Sequence, residues 1–235
     1  MPAGYNMRHS RHRLNSMPIY LEQARFNMVE QQVRPWDVLD PAVLDALREV
    51  PREDFVPSRH RRLAFSDLRI PLPRGQVMMK PIEEGRMLQS LQIEAGNRVL
   101  EIGTGSGFTA ACLAHLGAEV TSVEIHSDLA DRARNRLERV GIDRVEVICA
   151  DALGDFAPDN IFDVLVVTSS AVRIPERFLE WVGKGGRLFA VRGDSPAMEA
   201  VCLTQVSEGH WHTDSLFETD LPRLIGAEDR PEFEF

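Results

Sequence analysis

Val99-Leu-Glu-Ile-Gly-Thr-Gly-Ser-Gly107 is the stretch on which the reading of this chain turns. Val99, Leu100 and Ile102 read as a short buried strand. Three glycines follow at alternate positions, and Phe108 to His115 then carries an Ala- and Leu-rich helical pattern. The predicted order is strand, tight turn, helix. Such a turn lets a ligand approach the backbone closely, beside N–H groups at the positive end of a helix. The spacing Gly-x-Gly-x-Gly matches neither the dinucleotide fingerprint Gly-x-Gly-x-x-Gly nor a phosphate loop, which needs a terminal Gly-Lys-Ser/Thr. Taken alone, it also suits a plain structural turn. A second signal comes from Glu119 to Glu124, which reads as the next strand and ends in an acid. Glu124 lies 17 residues after Gly107, close to the roughly 20-residue offset at which an acid accepts from ribose hydroxyls in this architecture.

Outward from this centre the strand–helix rhythm is regular. After the first strand, 99–102, come a helix over 107–116 and a strand over 119–123. Ser127 is expected to cap a helix over 128–140, with Gly141 ending it. Strands follow at 145–148 and 162–167, a helix at 175–182, a strand at 187–191, and two antiparallel edge strands at 199–206 and 210–218. Upstream, helices are predicted over 20–33 (stopped by Pro35), after the Asp40-Pro41 start signal, and over 82–91. The stretches Ile70–Pro73 and Val77–Pro81 should be extended, because residues before proline avoid the helical region. The fold class is therefore α/β: an open, doubly wound Rossmann-like sheet behind an N-terminal helical segment. Residues 1–16 read as a tail without fixed structure, 17–95 as the helical segment, and 96–235 as the α/β core with its edge strands. Residues 17–235 form one compact unit.

The 235 residues carry 27 Lys and Arg against 36 Asp and Glu, a formal net charge of −9. That balance argues against nucleic acid as the main partner; the local exception is Arg8-His-Ser-Arg-His-Arg13. No signal peptide is recognisable and no run approaches the 18 apolar residues of a membrane span. Cys112, Cys149 and Cys202 each fall in an apolar pattern and are expected to be buried reduced thiols, which suits a cytoplasmic protein. The histidines show no metal-ligand spacing, and no metal is expected. No sequence feature sets an oligomeric state.

The chain resembles class I S-adenosylmethionine-dependent methyltransferases, and within them the protein-L-isoaspartate O-methyltransferase family. The resembling pieces are Met28-Val-Glu-Gln-Gln-Val-Arg-Pro35, Val50-Pro-Arg-Glu-Asp-Phe-Val-Pro57, Pro73-Arg-Gly-Gln76, the glycine stretch itself and Val166-Val-Thr168. They run in family order from about Arg25 to Gly193. The resemblance implies the same fold, S-adenosyl-L-methionine as cofactor, and transfer of its methyl group to the carboxylate of an L-isoaspartyl residue in a damaged protein or peptide. It implies that Gly103, Gly105 and Gly107 receive the methionine end, that Glu101 faces the ammonium through water, and that Glu124 binds the ribose. Ile125 would flank the adenine, Asp151 would meet its amino group, and the adjoining Ala152 belongs to the same cofactor wall.

Two stretches depart from the family pattern. The family loop carries a serine that helps to position the substrate carboxylate; Val77-Met78-Met79-Lys80-Pro81 has Met79 there. A thioether offers no donor. Lys80 is a candidate for attracting the carboxylate instead. After the fourth core strand the family often shows Thr-Ala-Ala, whereas this chain reads Thr168-Ser169-Ser170, with Thr168 a further candidate for positioning substrate and the hydroxyls able to supply polar contacts or cap the loop. Two alternatives stand beside the isoaspartyl reading: the same fold acting on another protein or on a small-molecule acid, thiol or hydroxyl, and a non-catalytic cofactor-binding interaction protein.

Overall fold

The computed structural model of the chain describes residues 12–227, with side chains from Tyr20 onward. The first helix, α1 (His12–Asn27), continues into a π-helical segment, Met28–Val33, and a 3-10 turn, Arg34–Trp36, that contains Pro35. Helix α1 begins inside the segment expected to be tail; residues 1–11 lie outside the described residues. The apolar stripe expected along residues 20–33 is split. Phe26 and Tyr20 are exposed, whereas Met28, Val29 and Val33 are fully buried. The widened turn, closed by an Arg34 N–H to Val29 carbonyl bond, is what brings these three onto one side.

Asp40 caps α2 (Pro41–Glu49) by accepting from Ala42 N at 2.8 Å, with proline at the first helical position. The one-turn helix α3 (Arg52–Phe55) and a 3-10 segment (Ser58–Leu63) follow. Next comes a two-residue hairpin, β1 (Ile70–Pro71) with β2 (Val77–Met78), and then α4 (Pro81–Leu91). The buried Arg52 ties these pieces together. It donates to Ala64 O at 2.9 Å and to Met79 O at 2.7 Å, pairs with Glu84 of α4, and lies over the Phe108 ring at 4.6 Å.

The core is one seven-stranded sheet: β3 (Arg98–Ile102), β4 (Glu119–Glu124), β5 (Val145–Cys149), β6 (Phe162–Ala171), β7 (Val182–Arg192), β8 (Met198–Ser207) and β9 (His210–Thr219), in spatial order β5-β4-β3-β6-β7-β8-β9. The first five of these strands pair in parallel and the last two are antiparallel additions. Parallel strands covered on both faces are mostly apolar, as Phe162–Val167 is apart from the exposed Asp163. Helices α5 (Phe108–His115) and α6 (Ser127–Arg139) pack with the N-terminal helices on one face, where the larger core lies. Leu129, Ala133 and Leu137 of α6 are buried at the expected spacing. The other face is thinly covered, by α7 (Glu176–Glu180) and the loop after β5.

Three expectations need correction. His126, not Ser127, stands at the start of α6, and it makes no side-chain cap; its backbone N–H is taken by Glu124 at 3.0 Å. Cys149 is exposed, because it closes the outermost strand β5, whereas Cys112 and Cys202 are buried; all three are free thiols. The strand expected at 187–191 is longer, starting at Val182, with a register shift between Phe162 and Val164 absorbing the extra length. Beyond β9, residues 221–227 fold back onto the end of β6. Ser170 N donates to Pro222 O at 2.9 Å and Leu224 N to Ser170 O at 2.7 Å. Of the tail expected after Asp220, residues 228–235 lie outside the described residues.

Candidate active site

The strand order reverses direction between β3 and β6: the chain runs from β3 to β4 to β5 on one side, then returns to β6 and β7 on the other. Such a switch point opens a crevice beyond the carboxyl ends of the strands. Here it holds a cleft of about 590 Å³, counting its open mouth. Gly103, Gly105, Glu124, Ile125, Asp151, Ala152, Thr168 and Ser169 are among its lining residues.

Gly103 follows β3 with φ +97°, and a Cβ there would sit 2.5 Å from Thr168 Oγ1. Only glycine meets both demands. Thr168 Oγ1 donates to Gly103 O at 2.6 Å and Ile102 O at 3.1 Å, so this side chain clasps the turn. Gly105 N donates to Glu124 Oε2 at 2.8 Å. Gly107, with φ +88°, does another job. It is not part of the cleft wall, and its missing Cβ would stand 3.3 Å from Ala133 Cβ, so it lets α5 approach α6.

Glu124 is 5% exposed and spends one lone pair of each oxygen on the backbone, from Gly105 N and His126 N. Each oxygen keeps another for a ligand. Asp151 accepts from Leu153 N at 2.9 Å and closes the same wall from β5. Glu101 lies deeper and fully buried, outside the cleft wall. Its Oε2 accepts from Ser122 Oγ, which also pairs with Thr104 at 2.6 Å, while its Oε1 has no partner. Burial pushes its pKa up to about 8, the Ser122 bond opposes this, and the nearby Glu124 charge adds to it.

Among the residues expected to position substrate, only Thr168 reaches the cleft. Met79 is 4% exposed in the apolar core, with its carbonyl held by Arg52. A long apolar side chain between Met78 and a proline-started helix finds the core rather than the crevice. Lys80 starts α4, with its backbone N–H on Glu83 at 3.1 Å. Neither lines the cleft. Positions that carried no site assignment do line it: Gln76, Val77, His126, and Arg223, Leu224 and Ile225. Gln76 and Val77 lie in or beside the Pro73–Gln76 motif, so they were within reach of the sequence. The last three come from a segment whose return to β6 has no local signal.

The residues fit S-adenosylmethionine. The glycine turn has a space that a Cβ would fill, two acids stand at the ends of adjacent strands, and a buried carboxylate oxygen lacks a partner beside the turn. A carboxylate set of this kind accepts from ribose hydroxyls and complements a cationic ammonium.

Residues 24–213 match the sequence profile of the family described as protein-L-isoaspartate(D-aspartate) O-methyltransferase. The chain is 41% identical over 202 residues to the protein-L-isoaspartate O-methyltransferase of Methanoculleus marisnigri, covering 86% of this chain and 91% of that one. It is 38% identical over 205 residues to protein-L-isoaspartate O-methyltransferase 1 of Rhodopseudomonas palustris, covering 87% and 84%. Among solved structures, it superposes with a TM-score of 0.72, at 18% identity, on a chain from Plasmodium falciparum. That chain is described as a protein-L-isoaspartate O-methyltransferase in complex with S-adenosyl-L-homocysteine, and the match covers 86% of this chain and 97% of that one. At that identity the likeness shows the fold.

Proposed function

This chain belongs to the protein-L-isoaspartate O-methyltransferase family, and from that premise we propose how its residues carry out S-adenosylmethionine-dependent methylation of L-isoaspartyl carboxylates. The observation that carries the proposal is the convergence of Gly103, Glu124 and Asp151 on one switch-point cleft. When bound, the cofactor would supply an electrophilic sulfonium methyl group for the substrate carboxylate, chemistry that needs no proton transfer.

Glu124 and Asp151 hold the nucleoside end. Glu101, behind the turn and outside the cleft wall with one oxygen unpartnered, would face the ammonium group through water. Thr168 fixes the glycine turn against β6 and so sets where the reactive end lies relative to that strand. A substrate carboxylate is already ionised near pH 7 and needs no general base. What remains for the protein is alignment at about 3 Å and exclusion of water.

We take the acceptor to be a damaged protein or peptide rather than a free small acid, on the strength of the family match, and not a nucleic acid, in keeping with the net charge of −9. We also propose a cytoplasmic location, which three free thiols fit. No helix among the described residues is long and apolar enough to cross a membrane.

The experiment uses methyl-labelled cofactor with an isoaspartyl peptide and its normal aspartyl counterpart. The expected result is a base-labile methyl ester on the isoaspartyl peptide alone. Equal labelling of both, or of neither, would overturn the reading.

A further inference from the structure

Three hydroxyl residues in succession end β6: Thr168, Ser169 and Ser170. Two are committed. Thr168 Oγ1 donates to Gly103 O at 2.6 Å, and Ser170 Oγ donates to Leu221 O at 2.7 Å. Ser169 Oγ has no partner, although the residue is only 8% exposed and lines the cleft. A desolvated hydroxyl with nothing to bond is a standing destabilisation, and such groups call for an explanation. Threonine and serine on either side show that this strand end does find partners for its hydroxyls where structure alone requires them.

We propose that Ser169 Oγ is the donor that holds the acceptor carboxylate, bonding one oxygen and leaving the other to take the methyl group. This assignment rests on the isoaspartyl reading of the site. Sheet order is its main support. The acids suited to the nucleoside end, Glu124 at the end of β4 and Asp151 just after β5, lie on one side of the glycine turn. Ser169 lies near the carboxyl end of β6, on the other side, where the reactive end of the cofactor and its acceptor would meet. His126 Nε2 also lacks a partner, but it follows β4 and belongs to the nucleoside side. Arg223, on the same wall as Ser169, has its guanidinium turned to Gly193 O at 2.6 Å and Asp194 Oδ1 at 3.3 Å. Met79 and Lys80 lie off the wall. Gln76 also lines the cleft with a free amide, but it is half-buried and open to water, so Ser169 is the buried uncommitted side-chain donor on the acceptor side of the described cleft. Its single χ1 torsion re-aims the hydroxyl between staggered wells without moving the strand. A hydroxyl donating to a carboxylate makes a charge-assisted bond, stronger than a neutral one.

The test compares wild type with Ser169→Ala in steady-state kinetics on an isoaspartyl peptide, with cofactor affinity by calorimetric titration and thermal unfolding measured in parallel. The expected result is a fall of roughly tenfold in kcat/KM, the scale of one hydrogen bond to a charged group, with cofactor Kd within about twofold of wild type. The midpoint of unfolding should hold or rise, because the variant removes an unsatisfied buried hydroxyl. Unchanged kcat/KM overturns the assignment. So does a parallel loss of cofactor affinity, which would give the hydroxyl to the cofactor, or a lowered unfolding midpoint, which would make its role structural. A wild-type protein that does not methylate the peptide sinks the isoaspartyl reading itself, and the assignment with it; a wild type that does, beside an equally active Ser169→Ala, sinks the assignment alone.

Discussion

At the scale of single residues, Glu124 joins the two halves of the cofactor wall. Its carboxylate ties the glycine turn to the start of α6 through Gly105 N and His126 N. Glu124→Ala should remove the ribose acceptors and loosen the turn, weakening cofactor binding by about 1.5–3 kcal/mol on the scale of charged hydrogen bonds. Calorimetric titration of the folded variant checks this; unchanged affinity would reject the ribose role. Met79 sets a contrasting case. Its side chain is 4% exposed among core residues, so Met79→Ser should cost about 2–4 kcal/mol of stability by removing apolar volume and burying a hydroxyl. Urea unfolding reads that loss. No gain in peptide methylation should accompany it, because position 79 is off the cleft wall.

At the scale of elements, the segment after β9 completes the site by pairing with the end of β6. The pairing gives Ser170 a hydroxyl bond to Leu221 O, backbone bonds with Pro222 and Leu224, and a parallel bridge to Arg223. It also brings Arg223–Ile225 into the cleft wall. A chain truncated after Asp220 should keep the seven-stranded sheet, since none of its strands is lost, but should lose most methylation and bind cofactor more weakly through an opened wall. Circular dichroism and cofactor titration of the truncated protein separate these outcomes. Full activity after truncation would show the segment to be dispensable. Arg52 plays the corresponding part upstream: its bonds to Ala64, Met79 and Glu84 and its stacking on Phe108 fix the hairpin loop relative to the first residue of α5.

At the scale of the whole molecule, buried carboxylates beneath the turn govern the pH dependence of stability. Burial raises the pKa of Glu101 from 4.5 to about 8; for Glu84 burial also prevails, over its attraction to Arg52, and takes it to about 8. The folded state therefore keeps protons that the unfolded chain releases near pH 4.5. The stability this confers is fully present below that pH and is lost as pH rises through about 8. Unfolding free energy should fall across pH 5–8, by at most about 1.4 kcal/mol per unit for each such group. Glu101→Gln, which stays neutral, should show a shallower slope than wild type in urea titrations at pH 5, 6, 7 and 8. Identical slopes would mean that Glu101 ionises normally in the folded protein.

The sequence by itself determined the strand–turn–helix centre, the parallel order of elements that follows from it, and the acids at the ends of successive strands. These are local signals: glycine spacing, apolar runs and acids at fixed offsets. Residues 99–124 hold most of them within one strand–helix–strand unit, so little long-range information was needed to find Gly103 and Glu124. The tertiary structure decided what local pattern cannot carry. Gly107 serves helix packing, because Ala133 of α6 stands against it. Met79 goes to the core and its carbonyl to Arg52, 27 residues away in sequence. Cys149 is exposed, because β5 turned out to be the outer edge of the sheet. The far wall of the cleft comes from residues more than 50 positions beyond β6, and Ser169 stands out only once its two neighbours' hydroxyls are seen to be spent. Hydrogen-bond satisfaction is a property of the assembled fold, since a donor is free or committed according to what the rest of the chain brings to it.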